Sequence, residues 1–325
     1  MIRKFETRWK EADFLPIKIP KGLPAEDILH RENIFTILEE RAGAQDIRPL
    51  RILLLNLMPT KIATETQLAR LLGNTPLQID LELMMVGSHI PRNTPRDHMI
   101  AFYKNFDEVR DYYYDGMVIT GAPVELLDFE QVDYWDELCE IMEWSTSHVY
   151  STFHICWAAQ AALYYHYGIP KYTLDEKLVG IFDHQVTHEG SILFRGFDDV
   201  FRVPHSRNTT IHREDIVRIP RLKILAESDE AGVYAVSTHG GRQIFITGHS
   251  EYDVDTIDKE YRRDVNNGIN PKIPKHYYPD DDPSKEPMNT WRSGANLLYS
   301  NWLDYFVYQE TPYIVEEVGN IGEIG

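Results

Sequence analysis

The sequence predicts an open α/β fold in which a mostly parallel β-sheet is flanked by helices. Apolar runs of strand length, such as Arg51–Met58 and Gly116–Thr120, alternate with segments whose apolar residues recur at helical spacing. An uninterrupted apolar run is typical of a strand that is buried on both faces, as in parallel sheets. Since parallel strands need crossover connections, the alternation predicts one sheet with helices on its faces.

The predicted helices begin and end at residues that favour those positions. Pro59 ends the first apolar strand, and Gly168 and Pro170 stop the helix that follows Cys156. The predicted helices are Ala25–Arg41, Thr64–Leu72, His98–Asn105, Trp135–Ser145, Ala158–Tyr167 and Trp291–Tyr308. The predicted strands are Arg51–Met58, Gln78–Val86, Gly116–Thr120, His148–Ile155, Lys177–Phe182, Ala231–Ser237 and Gln243–Gly248.

The domain organisation is predicted to be simple. Residues 1–14 are charged throughout and are interpreted as an N-terminal extension, and no later change of composition resembles an interdomain linker. The Pro- and Asp-rich segment Lys272–Pro287 is interpreted as a surface loop. We therefore expect residues 15–325 to form a single catalytic domain.

The charge and the cysteine content exclude several classes of protein. A net charge of -18, from 51 acidic and 33 basic residues, repels nucleic-acid phosphates and anionic lipid, so neither is an expected partner. The sequence has no apolar run of about 18 residues and no apolar core of a secretory signal near its start. Two cysteines are too few for a disulfide framework, which favours a cytoplasmic protein.

Cys156 is the first candidate for a catalytic residue because it lies between a predicted strand and a predicted helix. Enzymes of the α/β class hold their nucleophile at such a corner. The helix N-terminus carries partial positive charge and unpaired N–H groups, which stabilise a thiolate and an oxyanion. The alternative is a buried structural cysteine, and position alone does not separate the two. Cys139, inside a predicted amphipathic helix, is interpreted as structural.

His249 and Glu251 follow the predicted strand Gln243–Gly248. The carboxyl ends of strands are where open α/β sheets build their sites. A histidine there can deprotonate a thiol, and a carboxylate two residues later can orient the imidazole. With Cys156 they form a candidate catalytic triad. The other histidines are interpreted as structural or surface residues, among them His98, His154, His188 and His239.

At these residues the chain resembles the homoserine O-acyltransferases of methionine biosynthesis, a family with a class I glutamine-amidotransferase-like (flavodoxin-like) fold. The resemblance extends from about Leu15 to about Pro312 and rests on long blocks of sequence. These blocks are Arg48–Pro59, Thr120–Pro123, Cys156–Ala162, Tyr167–Pro170, Arg195–Asp199, Pro204–Arg207, Thr247–Asp253, Trp291–Ser293 and Asn301–Tyr305.

The resemblance implies a ping-pong reaction in which Cys156 takes the acyl group from acyl-CoA and His249, held by Glu251, activates the hydroxyl of L-homoserine. It assigns substrate binding to Lys177, Ser206 and Arg263, which suit a substrate carboxylate, and it gives Lys61 a supporting role near the site. It also implies a homodimer. No metal or further cofactor is expected, because acyl-CoA is a co-substrate.

Glu125 carries the implied acyl specificity. In this family a glycine after Gly-Ala-Pro-Val accompanies succinyl-CoA and a glutamate accompanies acetyl-CoA, and here the segment is Gly121–Glu125. A glutamate about 5 Å from a succinyl carboxylate, at an effective dielectric near 20, costs roughly 3 kcal/mol. The resemblance therefore implies acetyl-CoA as the donor, with succinyl-CoA as the alternative; for Glu125 taken alone, a solvated loop residue is the other interpretation.

Three other functions stay open at this point. A glutamine amidotransferase would use the same triad, but such enzymes usually surround the nucleophile with glycines, whereas Ile155 and Trp157 flank Cys156. A cysteine peptidase would need an open cleft for a peptide. A non-catalytic binding module with the same fold is disfavoured because Cys156, His249 and Glu251 are all present.

Overall fold

The computed structural model describes residues 17–19, 22–31, 36–37, 48–88, 94–188 and 190–320. The predicted extension, residues 1–14, lies outside this part of the chain. The predicted helix Ala25–Arg41 is wrong in its length: the helix covers Ala25–Arg31, and Thr36–Ile37 form a short strand beside Ile17–Lys18. Thr36 and Ile37 are both β-branched, which favours the extended backbone.

The described strands form one sheet, β1 to β12 in chain order. Their spatial order is β2-β1-β4-β3-β6-β7-β12-β11-β10-β8-β9, and β5 pairs with β4 at the side. The strands are β1 Ile17–Lys18, β2 Thr36–Ile37, β3 Leu50–Leu55, β4 Ile79–Met84, β5 Tyr103–Lys104, β6 Tyr114–Ile119, β7 Val149–Ile155, β8 Tyr172–Val186, β9 Val200–Thr210, β10 Leu222–Ser228, β11 Gly232–Thr238 and β12 Gln243–Ile246.

The helices α1 to α9 connect the strands. They are α1 Ala25–Arg31, α2 Lys61–Leu72, α3 Arg96–Phe102, α4 Phe106–Val109, α5 Trp135–His148, α6 Trp157–Tyr167, α7 Arg213–Ile216, α8 Thr256–Asn266 and α9 Arg292–Asn301. A π-helical segment, Trp302–Tyr308, continues α9. The predicted helix Trp291–Tyr308 is therefore confirmed, but its second part is π-helical and not α-helical. Within the described residues, no helix combines the length and the apolar character that crossing a membrane requires.

The sheet has a parallel half and an antiparallel half. Pairing is parallel from β2 through β7 to β12, and antiparallel from β12 through β11, β10 and β8 to β9. The prediction of an open, mostly parallel α/β fold is confirmed. The predicted short strand Lys177–Phe182 is part of the longer β8, and β9 and β10 are absent from the sequence prediction.

Helices cover both faces of the sheet, which explains the uninterrupted apolar strands. In β3, Ile52 and Leu54 face a core that contains α2 and α9, whereas Leu53 and Leu55 face a core that contains α5 and α6. All four side chains are fully buried. Since alternate strand residues point to opposite faces, burial on both sides requires apolar residues at successive positions. Because the strand interiors are apolar, the polar residues of the site lie at the ends of the strands and in the loops that follow them.

Candidate active site

Cys156 occupies the turn between β7 and α6. Its backbone has φ 53° and ψ -114°, a left-handed φ that costs energy for a residue with a Cβ. The turn is held by the Cys156 N–H, which donates to the Ile246 carbonyl at 2.7 Å, and by the Cys156 carbonyl, which accepts from the Gln160 N–H at 3.2 Å. Backbone strain that the surrounding structure maintains is characteristic of functional positions. The thiol side chain is only 5% exposed.

The N-terminus of α6 is available to a bound group. No side chain caps this helix, whose first residue is Trp157. The first N–H groups of an α-helix have no partner within the helix, and together with the helix dipole they attract negative charge. A tetrahedral oxyanion formed on the Cys156 sulfur would lie at this helix end.

His249 and Glu251 reach Cys156 because β12 lies parallel to β7 in the sheet. Ile246 of β12 pairs with Ile155 of β7, so both strands end at the same edge. The His249 N–H donates to the Pro204 carbonyl at 2.8 Å, which fixes the loop after β12. His249 Nδ1 lies 2.6 Å from Glu251 Oε1.

The electrostatics of the site favour a charged imidazole. Complete burial alone would lower the pKa of His249, but the neighbouring Cys156 and Glu251 side chains outweigh it and raise the pKa well above its ordinary value. The ring of Tyr252 stacks on the imidazole with 4.2 Å between centroids and 15° between planes. A protonated histidine beside a thiolate is the ion pair that activates cysteine nucleophiles.

Gly121 lies close to both the Cys156 and the His249 side chains. A Cβ at this position would lie 3.2 Å from the Cys156 Cβ and 3.7 Å from the His249 Cε1. The segment Gly121–Leu127 then continues along the wall of a cavity of about 580 Å³ that opens over Cys156. Gly121 therefore leaves space beside Cys156 that a larger residue would reduce.

The cavity brings together seven of the eight residues selected from the sequence. All seven line it: Cys156, His249, Glu251, Lys177, Ser206, Arg263 and Glu125. Lys61 does not line it. Its neighbours in the chain, Pro59 and Thr60, line the cavity, whereas the Lys61 side chain is buried.

Lys61 lies in a buried polar network. Its ammonium donates to the Asn56 carbonyl and lies over the Tyr103 ring, 5.4 Å from the centroid. Burial lowers the pKa of Lys61 to about 8, although the nearby Glu65 carboxylate raises it. The same Glu65 accepts a hydrogen bond from the Tyr103 hydroxyl and pairs with His98 at 2.9 Å.

Lys177 and Ser206 meet at one carboxylate. The Ser206 hydroxyl donates to Glu260 Oε2 at 2.6 Å, and Lys177 Nζ lies 3.4 Å from the same oxygen. Glu260 was not selected from the sequence, because a glutamate on an amphipathic helix is normally a solvated residue. Arg263 pairs instead with Asp264 at 2.8 Å. The side chains expected to bind substrate thus already interact with carboxylates of the protein.

Glu125 points towards β9. Its carboxylate accepts hydrogen bonds from the Asn208 backbone N–H and, at 3.4 Å, from the Asn208 side-chain amide. Lys171 Nζ donates to the Glu125 backbone carbonyl at 2.6 Å. Glu125 is therefore a bound wall residue of the cavity, and the alternative of a freely solvated loop residue does not fit the structure.

The four other histidines named from the sequence lie in the part of the chain that the structure describes. His98 and His154 are buried, and His188 and His239 are exposed. None of them lines the cavity over Cys156. Within the described residues, no group of three or more His, Cys, Asp or Glu side chains is arranged to hold a metal ion.

The chain is similar over nearly its whole length to proteins of one family. A family model described as HTS, homoserine O-succinyltransferase, matches residues 16–313. A protein of Acetivibrio thermocellus named homoserine O-acetyltransferase is 59% identical over 304 residues, which are 94% of this chain and 100% of that protein. A protein of Bacteroides fragilis with the same name is 58% identical over 304 residues, with coverages of 94% and 100%.

Comparison with solved structures shows which known fold the chain shares. A glutamine amidotransferase of Thermotoga maritima superimposes with a TM-score of 0.51 at 13% sequence identity. The superposition covers 79% of this chain and 98% of that one. At this level of identity the comparison concerns the fold alone, and it confirms the expected class I glutamine-amidotransferase-like architecture.

Proposed function

Because the chain belongs to the homoserine O-succinyltransferase family, we propose that it is a homoserine O-acetyltransferase that moves the acetyl group of acetyl-CoA onto the L-homoserine hydroxyl. The single observation that carries the mechanism is the arrangement of a strained Cys156, an imidazole and a carboxylate at one cavity. The product, O-acetyl-L-homoserine, is a precursor for methionine biosynthesis.

In the first half-reaction the Cys156 sulfur attacks the thioester carbonyl of acetyl-CoA. The negative charge that develops on the carbonyl oxygen is stabilised by N–H groups at the start of α6. The carbon–sulfur bond to CoA then breaks, and protonated His249 supplies the proton that CoA carries away as its thiol. The acetyl group remains on Cys156 as a thioester, and His249 becomes neutral.

In the second half-reaction neutral His249 takes the proton of the homoserine hydroxyl. The hydroxyl oxygen attacks the acetyl carbonyl, and the carbon–sulfur bond to Cys156 breaks. Because His249 keeps this proton and Cys156 leaves as a thiolate, the original pair of imidazolium and thiolate is restored. Glu251, at 2.6 Å from Nδ1, orients the imidazole so that Nε2 faces the reacting atoms in both halves.

Lys177, Ser206 and Arg263 are the proposed contacts for the homoserine backbone. A substrate carboxylate suits the Lys177 and Arg263 cations, and a substrate ammonium suits the Glu260 carboxylate that now accepts from Ser206. Lys61 is proposed to act indirectly, because its buried side chain bonds to the Asn56 carbonyl and does not line the cavity.

Acetyl-CoA is the proposed donor for two reasons. The relatives that cover nearly the whole chain are named homoserine O-acetyltransferases, although the family description names succinyl transfer. In addition, Glu125 places a carboxylate on the wall of the acyl cavity, where a second carboxylate would be repelled. We further propose a cytoplasmic homodimer that needs no metal or other cofactor and binds neither nucleic acid nor membrane.

A thiol-release assay tests the proposal. Purified protein is incubated with L-homoserine and either acetyl-CoA or succinyl-CoA, with Cys156→Ser as the blank and Cys139→Ser as the matched cysteine control. We expect turnover with acetyl-CoA that is lost in Cys156→Ser and kept in Cys139→Ser. A preference for succinyl-CoA would overturn the donor assignment. If neither donor reacts, glutamine hydrolysis is the next activity to test, since the chain shares its fold with a glutamine amidotransferase.

A further inference from the structure

We propose that Tyr252 is a positioning residue that links the acceptor site to the catalytic base. Its ring stacks on the imidazole of His249, and its hydroxyl donates to Glu260, the carboxylate proposed above to bind the ammonium group of the acceptor. The inference rests on the acyl-transfer function proposed above and extends it to the second half-reaction. The Tyr252 hydroxyl serves the attack of the acceptor and not the transfer from acetyl-CoA.

The turn after β12 brings Tyr252 onto His249. The Tyr252 N–H donates to the His249 carbonyl at 3.2 Å, so the two residues are the first and the last of a four-residue turn. Their rings stack with 4.2 Å between centroids and 15° between planes. The imidazole is therefore held by Glu251 at Nδ1 and by the phenol ring on one face.

The backbone of this turn is held without help from the Tyr252 hydroxyl. Trp291 Nε1 donates to the Tyr252 carbonyl at 3.1 Å, and the Ser250 hydroxyl lies 2.8 Å from the Tyr234 hydroxyl. The Tyr252 ring also belongs to a buried apolar cluster that includes Trp291. A phenylalanine at position 252 should therefore keep the turn, the stacking and the packing.

Glu260 of α8 accepts hydrogen bonds from three separate parts of the chain. Its Oε2 accepts from the Ser206 hydroxyl of β9 at 2.6 Å and lies 3.4 Å from Lys177 Nζ of β8. Its Oε1 accepts from the Tyr252 hydroxyl, which follows β12, at 3.4 Å. The Tyr252 hydroxyl thus contacts the carboxylate oxygen that Ser206 and Lys177 leave to other partners. Contacts at both oxygens fix the plane in which the carboxylate meets an ammonium group.

The chemistry of the Tyr252 hydroxyl suits this contact. Burial, together with the Glu260 and Glu251 carboxylates, raises the pKa of Tyr252 well above its ordinary value. The hydroxyl therefore keeps its proton and donates to the carboxylate. Tyr252 and Glu260 both line the cavity over Cys156, so an acceptor in this cavity can reach the carboxylate and the nucleophile.

The two half-reactions place different demands on this link. The acetyl thioester has no ammonium group that would need Glu260. The acceptor, in contrast, presents an ammonium group to Glu260 and a hydroxyl to His249, and both groups belong to one small molecule. Because Tyr252 contacts both protein groups, it sets the distance between them. A small error in the position of a reacting group lowers the rate strongly.

Tyr252→Phe tests the link because it removes the hydroxyl and keeps the ring. In a ping-pong reaction, kcat/KM for each substrate reports the half-reaction of that substrate. We expect kcat/KM for L-homoserine to fall about tenfold, and kcat/KM for acetyl-CoA to stay within about twofold of the wild-type value. Tyr278→Phe is the matched control and should change neither value. Its hydroxyl bonds to Asp258 of the same helix, α8, and it does not line the cavity.

Two further comparisons test whether the hydroxyl acts through Glu260. In a Glu260→Gln background, the loss caused by Tyr252→Phe should shrink to about twofold or less, because the two residues share one interaction. The acceptor analogue 4-hydroxybutyrate keeps the carboxylate and the hydroxyl of L-homoserine but has no amino group. With this analogue, Tyr252→Phe should react as fast as the wild type.

Several results would overturn the inference. Equal losses for acetyl-CoA and L-homoserine would mean that the hydroxyl supports the whole site. No loss for L-homoserine would mean that Tyr252 only packs against its neighbours. An undiminished loss in the Glu260→Gln background, or with 4-hydroxybutyrate, would mean that the hydroxyl does not act through Glu260.

A binding measurement separates this inference from the proposed function. Isothermal titration with L-homoserine should show about tenfold weaker binding to Tyr252→Phe than to the wild type or to Tyr278→Phe. This result, in a protein that transfers no acyl group, would support the link and reject the proposed function. Equal binding by all three proteins, or no binding by the wild type, would overturn the link even where acetyl transfer is observed.

Discussion

The Glu251 carboxylate lies 2.6 Å from Nδ1 of His249, and both side chains are more than nine-tenths buried. A charged imidazole in such an environment depends on its partners, because burial by itself disfavours the charge. Removing the Glu251 carboxylate should therefore lower the pKa of His249.

Glu251→Gln replaces one of the two side chains that raise the pKa of His249. We expect the pKa of His249 to fall and kcat to drop on the order of 10²- to 10⁴-fold, as when the orienting carboxylate of a triad becomes an amide. An NMR titration of the histidine Cε1–H signals measures the pKa, and the thiol-release assay measures kcat. The exposed Glu286→Gln is the matched control; an unchanged His249 pKa would contradict the assignment.

Gly121→Ala tests the space between nucleophile and base. The new Cβ would approach the Cys156 Cβ to 3.2 Å, so the nucleophile must move by a few tenths of an ångström. We expect kcat to fall about tenfold or more, because small displacements of reacting groups are costly, while the melting temperature changes little. In the control Gly87→Ala the Cβ meets its nearest neighbour at 3.6 Å, and full activity is expected there.

The buried His184 is expected to make the folded protein less stable in acid. Burial lowers the pKa of His184 to about 4, below the value of about 6.5 in an unfolded chain. The unfolded state therefore binds the proton first, and stability is lost as pH falls from about 6.5 towards about 4. His184 contributes a loss of about 2 kcal/mol between pH 7 and pH 5.

Urea denaturation at several pH values checks this effect. The free energy of unfolding of His184→Gln should fall less steeply between pH 7 and pH 5 than that of the wild type. The exposed His188→Gln should keep the wild-type slope. Parallel slopes for all three proteins would mean that His184 is not held in its neutral form.

Lys61→Met separates stability from function. Burial lowers the pKa of Lys61 to about 8, so the unfolded state binds its proton more tightly and wild-type stability rises with pH between about 8 and 10. We expect Lys61→Met to abolish this rise and to be more stable at pH 7 by about 2 kcal/mol, after loss of the hydrogen bond to Asn56. Reduced activity together with greater stability would support the indirect role.

Denaturation at pH 7 and pH 9 and the thiol-release assay measure both quantities for the same samples. Lys285→Met, at an exposed position, is the matched control. Destabilisation of Lys61→Met with normal activity would identify Lys61 as a structural residue only.

The parallel half of the fold and the triad could be predicted from local sequence. Apolar runs identify β3 and β6. Cys156 directly follows β7 and His249 lies three residues after the end of β12, so their meeting follows from the parallel pairing of these two strands. Each of these features depends either on residues that are near one another in the chain or on the general rule that sites form at the carboxyl ends of parallel strands.

The substrate side of the site could not be predicted in this way. Strand β9 contains a charged and polar run around Ser206–Asn208, which has no strand periodicity although it is mostly buried. The contact between Asn208 and Glu125 spans 83 positions and lies where the pairing of β8 with β9 is irregular. Residue patterns within one element carry no information about such a contact, so Asn208 received no role from sequence.

The division of the sheet into two halves has a consequence for how this enzyme can change. Cys156 and His249 are held by β7 and β12 of the parallel half, whereas Lys177, Ser206 and Asn208 belong to the antiparallel hairpin β8–β9. Mutations in the hairpin can therefore alter which molecules are accepted while the bond-making machinery stays intact. Selection for a new acceptor can act on this hairpin, whereas the proposed donor determinant Glu125 follows β6 of the parallel half.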